Sequence, residues 1–284
     1  MQSDDFDEDA WLARIGYRGS RAPTLETLRG LVLAHAVAIP YESLDVTLGR
    51  VPRLGVLELQ RKMIRGRRGG YCFEQNMLFR AGLRSLGFRV TSLQGRVVRG
   101  LPIDAPRPAI HMLLRLDLSE GSYLADVGFG NLAPTAPLLL ETGIEQPTPH
   151  ETMRFIEVAG ELTLQSRVGD RWEHIYRVIP YPRYDAEYEV ANWYTATHPD
   201  APYLSNIIAA RPRPDGSRVT LFNARMIVRH ANGERDLHVL ESAEAFETAL
   251  REEFDVDLPD DDLRTILRVV EERGARGAPH PFFA

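Results

Sequence analysis

At Gly87-Phe88 the spacing of apolar residues changes from a helical pattern to short strand-like runs, so the chain must build a helical lobe before a β lobe. Ahead of that point Leu25, Leu28, Leu31 and Val32 recur at helical spacing behind Pro23-Thr24. Thr24 is placed to cap that helix, and Pro40 ends it. A second helix is expected from about Leu54 to Ile64, and a third from close to Cys72 to about Leu86. The third carries Phe73, Met77, Leu78, Phe79, Ala81, Leu83 and Leu86 on more than one face, which predicts that it is largely buried. Gly87 followed by Phe88 reads as its C-terminal cap with the accompanying apolar contact.

Beyond Gly87, short strands are expected over Phe88–Val98, Ala109–Leu118, Tyr123–Val127, Thr152–Val158, Leu162–Arg167 and Trp172–Val178. Turn residues separate them, including Ser119-Glu120-Gly121-Ser122 and Gly169-Asp170. From about Ala191 the signals mix. Arg218–Arg229 reads as one strand, Asn232-Gly233 as a turn, and Ala243–Phe254 and Asp261–Glu272 as helices capped by Ser242 and Asp260. The class is α+β, divided as 1–87 helical, 88–190 β-barrel or sheet, and 191–284 mixed α/β.

A chain of 284 residues is long enough for one enzyme of two or three lobes with a sizeable core. Its net charge of -6 argues against a general nucleic-acid binder. The acidic runs Asp4, Asp5, Asp7, Glu8, Asp9 and Asp255 to Asp262 read as solvated surface. No apolar stretch reaches the roughly 20 residues that span a bilayer, so no membrane partner is expected. A single cysteine cannot form an internal disulfide, and no basic-then-apolar leader is present, so the expectation is a reduced, cytoplasmic protein.

The stretch Arg67-Arg68-Gly69-Gly70-Tyr71-Cys72-Phe73-Glu74-Gln75-Asn76 carries the strongest chemical signal. It sets the only cysteine at the start of a buried helix behind two arginines. Unpaired helix N–H groups and nearby cations both favour a thiolate, the reactive form. The alternative is a small buried hydrophobe. A cysteine nucleophile needs a base, and the base an orienting group. His111 opens the strand His111-Met-Leu-Leu-Arg-Leu116, and Asp126 follows in Tyr123-Leu-Ala-Asp-Val127 before Gly128-Phe129-Gly130. Separately, His111 could be a satisfied core histidine and Asp126 a cap on the glycine turn. A turn centred on Glu120-Gly121 would set Arg115 opposite Asp126 and Gly130 opposite His111, leaving His111 and Asp126 roughly 13 Å apart. Contact between them requires a shifted register or a bulge.

Two further patterns carry less. Gly128-Phe-Gly130-Asn-Leu-Ala133 imitates a dinucleotide-binding turn, but Pro134 and Pro137 forbid the helix that such a motif opens. A tight glycine turn there could still approach a phosphate-bearing ligand. Arg61, Lys62, Arg65, Arg67 and Arg68 could attract an anionic substrate or simply form the exposed end of a helix. No metal-binding or serine-nucleophile motif is present, so no metal is expected.

The chain resembles the bacterial arylamine N-acetyltransferases. The matching stretches include Ile15-Gly-Tyr-Arg-Gly19, Ile39-Pro-Tyr-Glu-Ser-Leu-Asp-Val46, Arg67 to Asn76, His111-Met-Leu-Leu-Arg115, Asp126-Val-Gly-Phe-Gly130, Thr148-Pro-His-Glu151 and Asn192-Trp-Tyr-Thr-Ala-Thr-His-Pro199. The resemblance implies a helical bundle, a β-barrel and an α/β lid around a cysteine-proteinase-like core. It implies Cys72 as nucleophile, His111 as its partner and Asp126 as the orienting carboxylate. It further implies ping-pong transfer of acetyl from acetyl-coenzyme A, a substrate rather than a bound cofactor, to an arylamine, hydrazine or N-hydroxyarylamine. Phe129, Gly130 and His230 are then expected to contact the donor, and Tyr41 and Phe129 the acceptor, in a monomer or homodimer. Departures fall at Tyr41 and Ser43, where the family has Phe and Asn, and at Asn131, where it has a second glycine. Rival readings are a macrolactam-forming amide synthase fed by a carrier-bound acyl group, a transglutaminase-like or papain-like hydrolase, and a binding protein that kept the fold.

Overall fold

The computed structural model describes residues 6–199 and 201–273; Asp4 and Asp5 of the first acidic run lie outside them. The helical lobe holds α1 (Glu8–Arg14), α2 (Leu25–Ala38), α3 (Leu44–Thr47), α4 (Val56–Leu59) and α5 (Cys72–Ser85). Thr24 caps α2 by accepting from the Thr27 N–H at 3.3 Å. The second expected helix is continuous over 56–65 but changes its winding: α4 passes at Gln60–Arg65 into a π-helical segment. At the end of α5, Gly87 adopts φ +83°. Its N–H donates to Arg84 and that of Phe88 to Leu83, both at 3.0 Å, which closes the Schellman cap expected there. Trp11, Leu28, Leu31, Phe73, Phe79 and Leu83 are fully buried in this lobe's core. Each such side chain contributes about 1.5–3 kcal/mol of burial.

The middle of the chain folds into an eight-stranded antiparallel sheet. Its strands are β2 (Val90–Val97), β3 (His111–Leu118), β4 (Gly121–Ala125), β5 (Leu138–Leu139), β6 (Gln146–Pro147), β7 (Thr152–Val158), β8 (Glu161–Val168) and β9 (Arg171–Ile179). The order is β5-β4-β3-β2-β9-β8-β7-β6. The two ends, β5 and β6, are joined by one side chain rather than a ladder. The Gln146 amide accepts from the Leu139 N–H at 2.7 Å and donates to the Leu139 carbonyl at 2.9 Å, so the sheet curls into a nearly closed barrel.

The last part holds α6 (Asp185–Thr197), α7 (Pro202–Ser205), β10 (Ile208–Pro212), β11 (Arg218–Phe222), β12 (Arg225–Arg229), β13 (Arg235–Val239), α8 (Ala243–Phe254) and α9 (Asp260–Arg273). The expected single strand over 218–229 is a hairpin instead, turned by Asn223, which holds φ +52°. Ser242 caps α8 as expected, accepting from Ala245 at 3.1 Å, whereas Asp260 is the first residue of α9 and not its cap. β10 to β13 form a second sheet completed by a strand from the helical lobe, β1 (Tyr41–Glu42), which pairs with Ala209 and Ala210. A boundary drawn at residue 190 falls inside α6, whose Tyr188, Ala191 and Ala196 pack into the helical core. The acidic residues at 255–262 are partly engaged: Asp255 pairs with Arg14 and Arg67, and Asp262 with Arg50. No described helix is long and apolar enough to cross a membrane.

Candidate active site

Cys72 is the first residue of α5, and the strap leading to it is held by buried charge. The Lys62 ammonium lies 2.6 Å from Asp45 and 2.7 Å from Glu74. Arg68 lies 2.8 Å from Glu42 and 3.2 Å from Asp45. Glu74 in turn accepts from the Tyr71 N–H at 3.2 Å, tying the network to the helix start. Burial raises the Glu74 pKa to about 7 even though Lys62 pulls it down. The basic cluster is therefore not an anion trap and only partly a solvated helix end. Lys62 and Arg68 are structural counter-ions, Arg67 is taken by Asp255, and Arg61 and Arg65 alone of the five remain on an exposed face without such a role. Both arginines before Cys72 are held by carboxylates.

The partner of the thiol is His111, at the start of β3. Its Nε2 lies 2.7 Å from Asp126 Oδ2, and both residues are buried. That contact leaves Nδ1 as the ring nitrogen for the Cys72 side, where the ring and the thiol line the same cavity. Burial works against charge on the ring. The Asp126 carboxylate, by its charge and its hydrogen bond, with help from Cys72, outweighs burial and raises the imidazole pKa to about 10. Burial likewise opposes the Asp126 charge, and the His111 charge with hydrogen bonds from His111, Asn76 and Gly128 wins, so its pKa lies below the usual value.

The register explains the meeting. A two-residue turn at Ser119-Glu120 pairs Leu118 with Gly121 and Leu114 with Ala125, two positions from the register expected of a turn at Glu120-Gly121. The β4 ladder ends at Ala125, one residue short of Asp126. Continued one step, the observed register would set Asp126 beside Leu113, a diagonal neighbour of His111 on the same face, which long side chains can span. No bulge is needed.

Asn76, one turn along α5 from Cys72, is a member of the site that the sequence reading left without a role. Its amide donates at 2.9 Å to both Met112 O and Asp126 Oδ1, and accepts from the Val127 N–H at 3.1 Å. It thereby locks the carboxylate to the helix that carries the thiol. An asparagine one helical turn after the cysteine, on the same face of a helix expected to be buried, is the available signal. Asp126 Oδ1 also accepts from the Gly128 N–H at 2.9 Å. Phe129 and Tyr176 enclose the imidazole, with ring centroids 5.2 and 5.1 Å from it.

Cys72, His111, Gly128 and Phe129 open onto one cavity of about 260 Å³. Cys72, His111, Phe129, Tyr41, Tyr203 and Arg99 are among the residues that line it. The Tyr41 and Tyr203 hydroxyls are hydrogen-bonded at 2.9 Å. Gly130 holds φ +77° against the Tyr41 ring. Ser43 is buried but does not line the cavity. His230 does not line it either: it sits at the β12–β13 turn, where its Nε2 lies 2.7 Å from Asp236. The Gly128 to Ala133 segment is a loop and opens no helix, as the prolines required. Among the described residues, no group of three or more His, Cys, Asp or Glu side chains is placed to hold a metal ion.

Gly128 matters for its missing side chain. A Cβ there would lie 2.8 Å from Cys72 Cα, 2.9 Å from Cys72 O and 2.8 Å from Asn76 Nδ2. Displacing a nucleophile by about 1 Å is worth about 10²-fold in rate. Gly128→Ala is expected to cost about 1–3 kcal/mol of stability and to slow reaction at Cys72 by about that factor; a variant whose Cys72 reacts at the wild-type rate would show that the loop can yield without moving the thiol.

A family model described as N-acetyltransferase matches residues 24–263. The arylamine N-acetyltransferase of Mycobacterium tuberculosis is 39% identical over 274 residues, covering 95% of this chain and 93% of that one. A Salmonella typhimurium protein named arylamine N-acetyltransferase / N-hydroxyarylamine O-acetyltransferase is 39% identical over 214 residues, 75% of this chain and 76% of its own. Among solved structures, that of the Mycobacterium marinum arylamine N-acetyltransferase in complex with CoA superposes with a TM-score of 0.89 at 36% identity, covering 94% of this chain and 99% of that one.

Proposed function

The chain belongs to the arylamine N-acetyltransferase family, and from that premise we propose that Cys72 carries an acetyl group from acetyl-coenzyme A to an arylamine, hydrazine or N-hydroxyarylamine. The observation that carries this reading is the set Cys72, His111 and Asp126: the thiol and the imidazole line one cavity, and the carboxylate lies 2.7 Å from Nε2, which leaves Nδ1 for the thiol.

The Cys72 thiolate attacks the thioester carbonyl carbon. The first-turn N–H groups of Cys72 and Phe73, which a helix leaves without intrahelical acceptors, are available to the developing oxyanion. Collapse forms the Cys72 thioester and expels the coenzyme A thiolate, which takes the proton held by His111. The neutral imidazole then removes a proton from the incoming amine as its nitrogen attacks the Cys72 thioester. The second collapse releases the amide and returns the thiolate–imidazolium pair. Asp126 keeps Nε2 protonated throughout, which leaves Nδ1 to shuttle the proton. Phe129 and Tyr41 form the walls against which an aromatic acceptor rests. The rest of the donor runs past Phe129 and Gly130 toward the β12–β13 hairpin that carries His230. All of these groups lie in one chain, which supports a monomer or homodimer with independent sites. A working thiol calls for a reducing compartment, which supports a cytoplasmic location.

The test is the intact mass after acetyl-coenzyme A is added with no amine. One acetyl group on Cys72, discharged when an arylamine follows, is the expected result. A protein that stays unmodified under rapid quenching while transfer proceeds would rule out the covalent route.

A further inference from the structure

A second cleft adjoins the catalytic cavity. The ladder of the C-terminal sheet sets Arg218 opposite Arg229, and Arg229 opposite Arg235. Like charges directly opposite one another destabilise a sheet unless opposite charge lies among them. Arg99, which follows β2 in the barrel, faces the same cleft. It is close enough that the Arg229 and Arg235 charges add to burial in lowering its pKa.

Among the described residues two carboxylates serve these four guanidiniums. Glu151 takes Arg218 in a fork at 2.7 and 2.6 Å and also meets Arg229. Glu173 takes Arg99 at 3.2 Å. Among the described residues no carboxylate pairs with Arg235. Nη1 of Arg218, a side chain only 2% exposed, has no hydrogen-bond partner. A buried guanidinium N–H without an acceptor is costly, and an arriving anion would supply one. The cleft measures about 30 Å³, room for about two waters or one tetrahedral oxyanion. Arg99 lines both spaces, and Asn131 of the glycine loop, which accepts from Arg99 Nη1 at 2.7 Å, also lines the cleft.

We propose that Arg99, Arg218, Arg229 and Arg235 form an anion subsite that receives a phosphate of the acyl donor while its thioester lies at Cys72. Guanidinium forks match phosphate oxygens in both charge and geometry. The proposal rests on the reading of acetyl-coenzyme A as the donor. In it, Asn131 is the residue that turns the loop's surface toward the cleft by holding Arg99.

Titration calorimetry of coenzyme A and of pantetheine, which has the same thiol arm and no phosphate, tests this without any chemistry at Cys72. Arg235 is exposed, so Arg235→Gln should fold, and melting checks that it does. Loss of one charge-assisted contact should weaken coenzyme A about tenfold, with pantetheine changed by less than about twofold. Arg235→Glu should weaken coenzyme A further. Inorganic pyrophosphate should bind the wild type and lose affinity in Arg235→Gln. An unchanged coenzyme A affinity in both variants would overturn the proposal, even if pyrophosphate still binds, because the cleft would then take free anions only. Equal losses for coenzyme A and pantetheine would overturn it too. Failure of the acetyl-adduct experiment would leave these binding results standing, so the two readings can fail separately.

Discussion

Replacing Cys72 by alanine is expected to abolish both the acetyl adduct and amine acetylation, with turnover falling by at least about 10⁴-fold. The cysteine side chain is 5% exposed and sits among Tyr71, Phe73 and Met77, so alanine loses a small packed sulfur and little else. Stability should change by no more than about 1–2 kcal/mol. The fold and the donor cavity persist, and coenzyme A should still bind. The informative comparison is therefore binding against chemistry in the same variant. Turnover above a tenth of wild type would remove Cys72 from the mechanism and leave it a core residue.

Asp126→Asn is expected to lower acetylation by about 10³–10⁴-fold with coenzyme A affinity preserved. The carboxylate does two things that an amide cannot. It accepts from Asn76, Gly128 and His111 at once, and an amide turned to satisfy some of these donors presents N–H groups to the others. It also holds the imidazole pKa at about 10 against burial. Without it only the smaller contribution of Cys72 opposes burial and that pKa falls, so the residual rate should depend on pH where the wild-type ion pair does not. In the wild type the sign follows from the two shifts. The His111 pKa is raised from its ordinary 6.5, so its stabilisation is complete below pH 6.5 and is lost as pH rises through about 10. The Asp126 pKa is depressed from 3.8, so its stabilisation is complete above that pH and is lost only in stronger acid. The pair should thus be intact from about pH 4 to 6.5 and weaken toward 10. Melting of Asp126→Asn against wild type across that range checks it: a gap in melting temperature as wide at pH 10 as at pH 6 would place the stabilisation elsewhere.

Much of this could be read along the chain. The helix that starts at Cys72 and its cap at Gly87-Phe88 were legible because both depend on residues a few positions apart. What stayed hidden depends on distant partners. The roles of Lys62 and Arg68 are set by Glu42, Asp45 and Glu74, and a basic run looks the same whether its counter-ions are water or buried carboxylates. The contact of His111 with Asp126 turned on two residues of register, and Ser119-Glu120-Gly121-Ser122 permits either turn. The hairpin within 218–229 was missed because its turn uses an asparagine in the left-handed region where a glycine would have announced it. Resemblance, and not spacing, brought the three site residues together before the geometry did.

The strand Tyr41–Glu42 belongs by sequence to the helical lobe and by hydrogen bonds to the C-terminal sheet. Its other side meets the strap before Cys72, where the Glu42 N–H donates to Gly70 O at 3.1 Å. A ribosome must therefore deliver Ala209 and Ala210 before the strand beside Cys72 has both neighbours. Cys72 is among the early residues made, yet its surroundings are among the last completed, and a chain cut short before β10 would hold the cysteine without them. Maturation of the site and completion of the fold are in this sense one cooperative event.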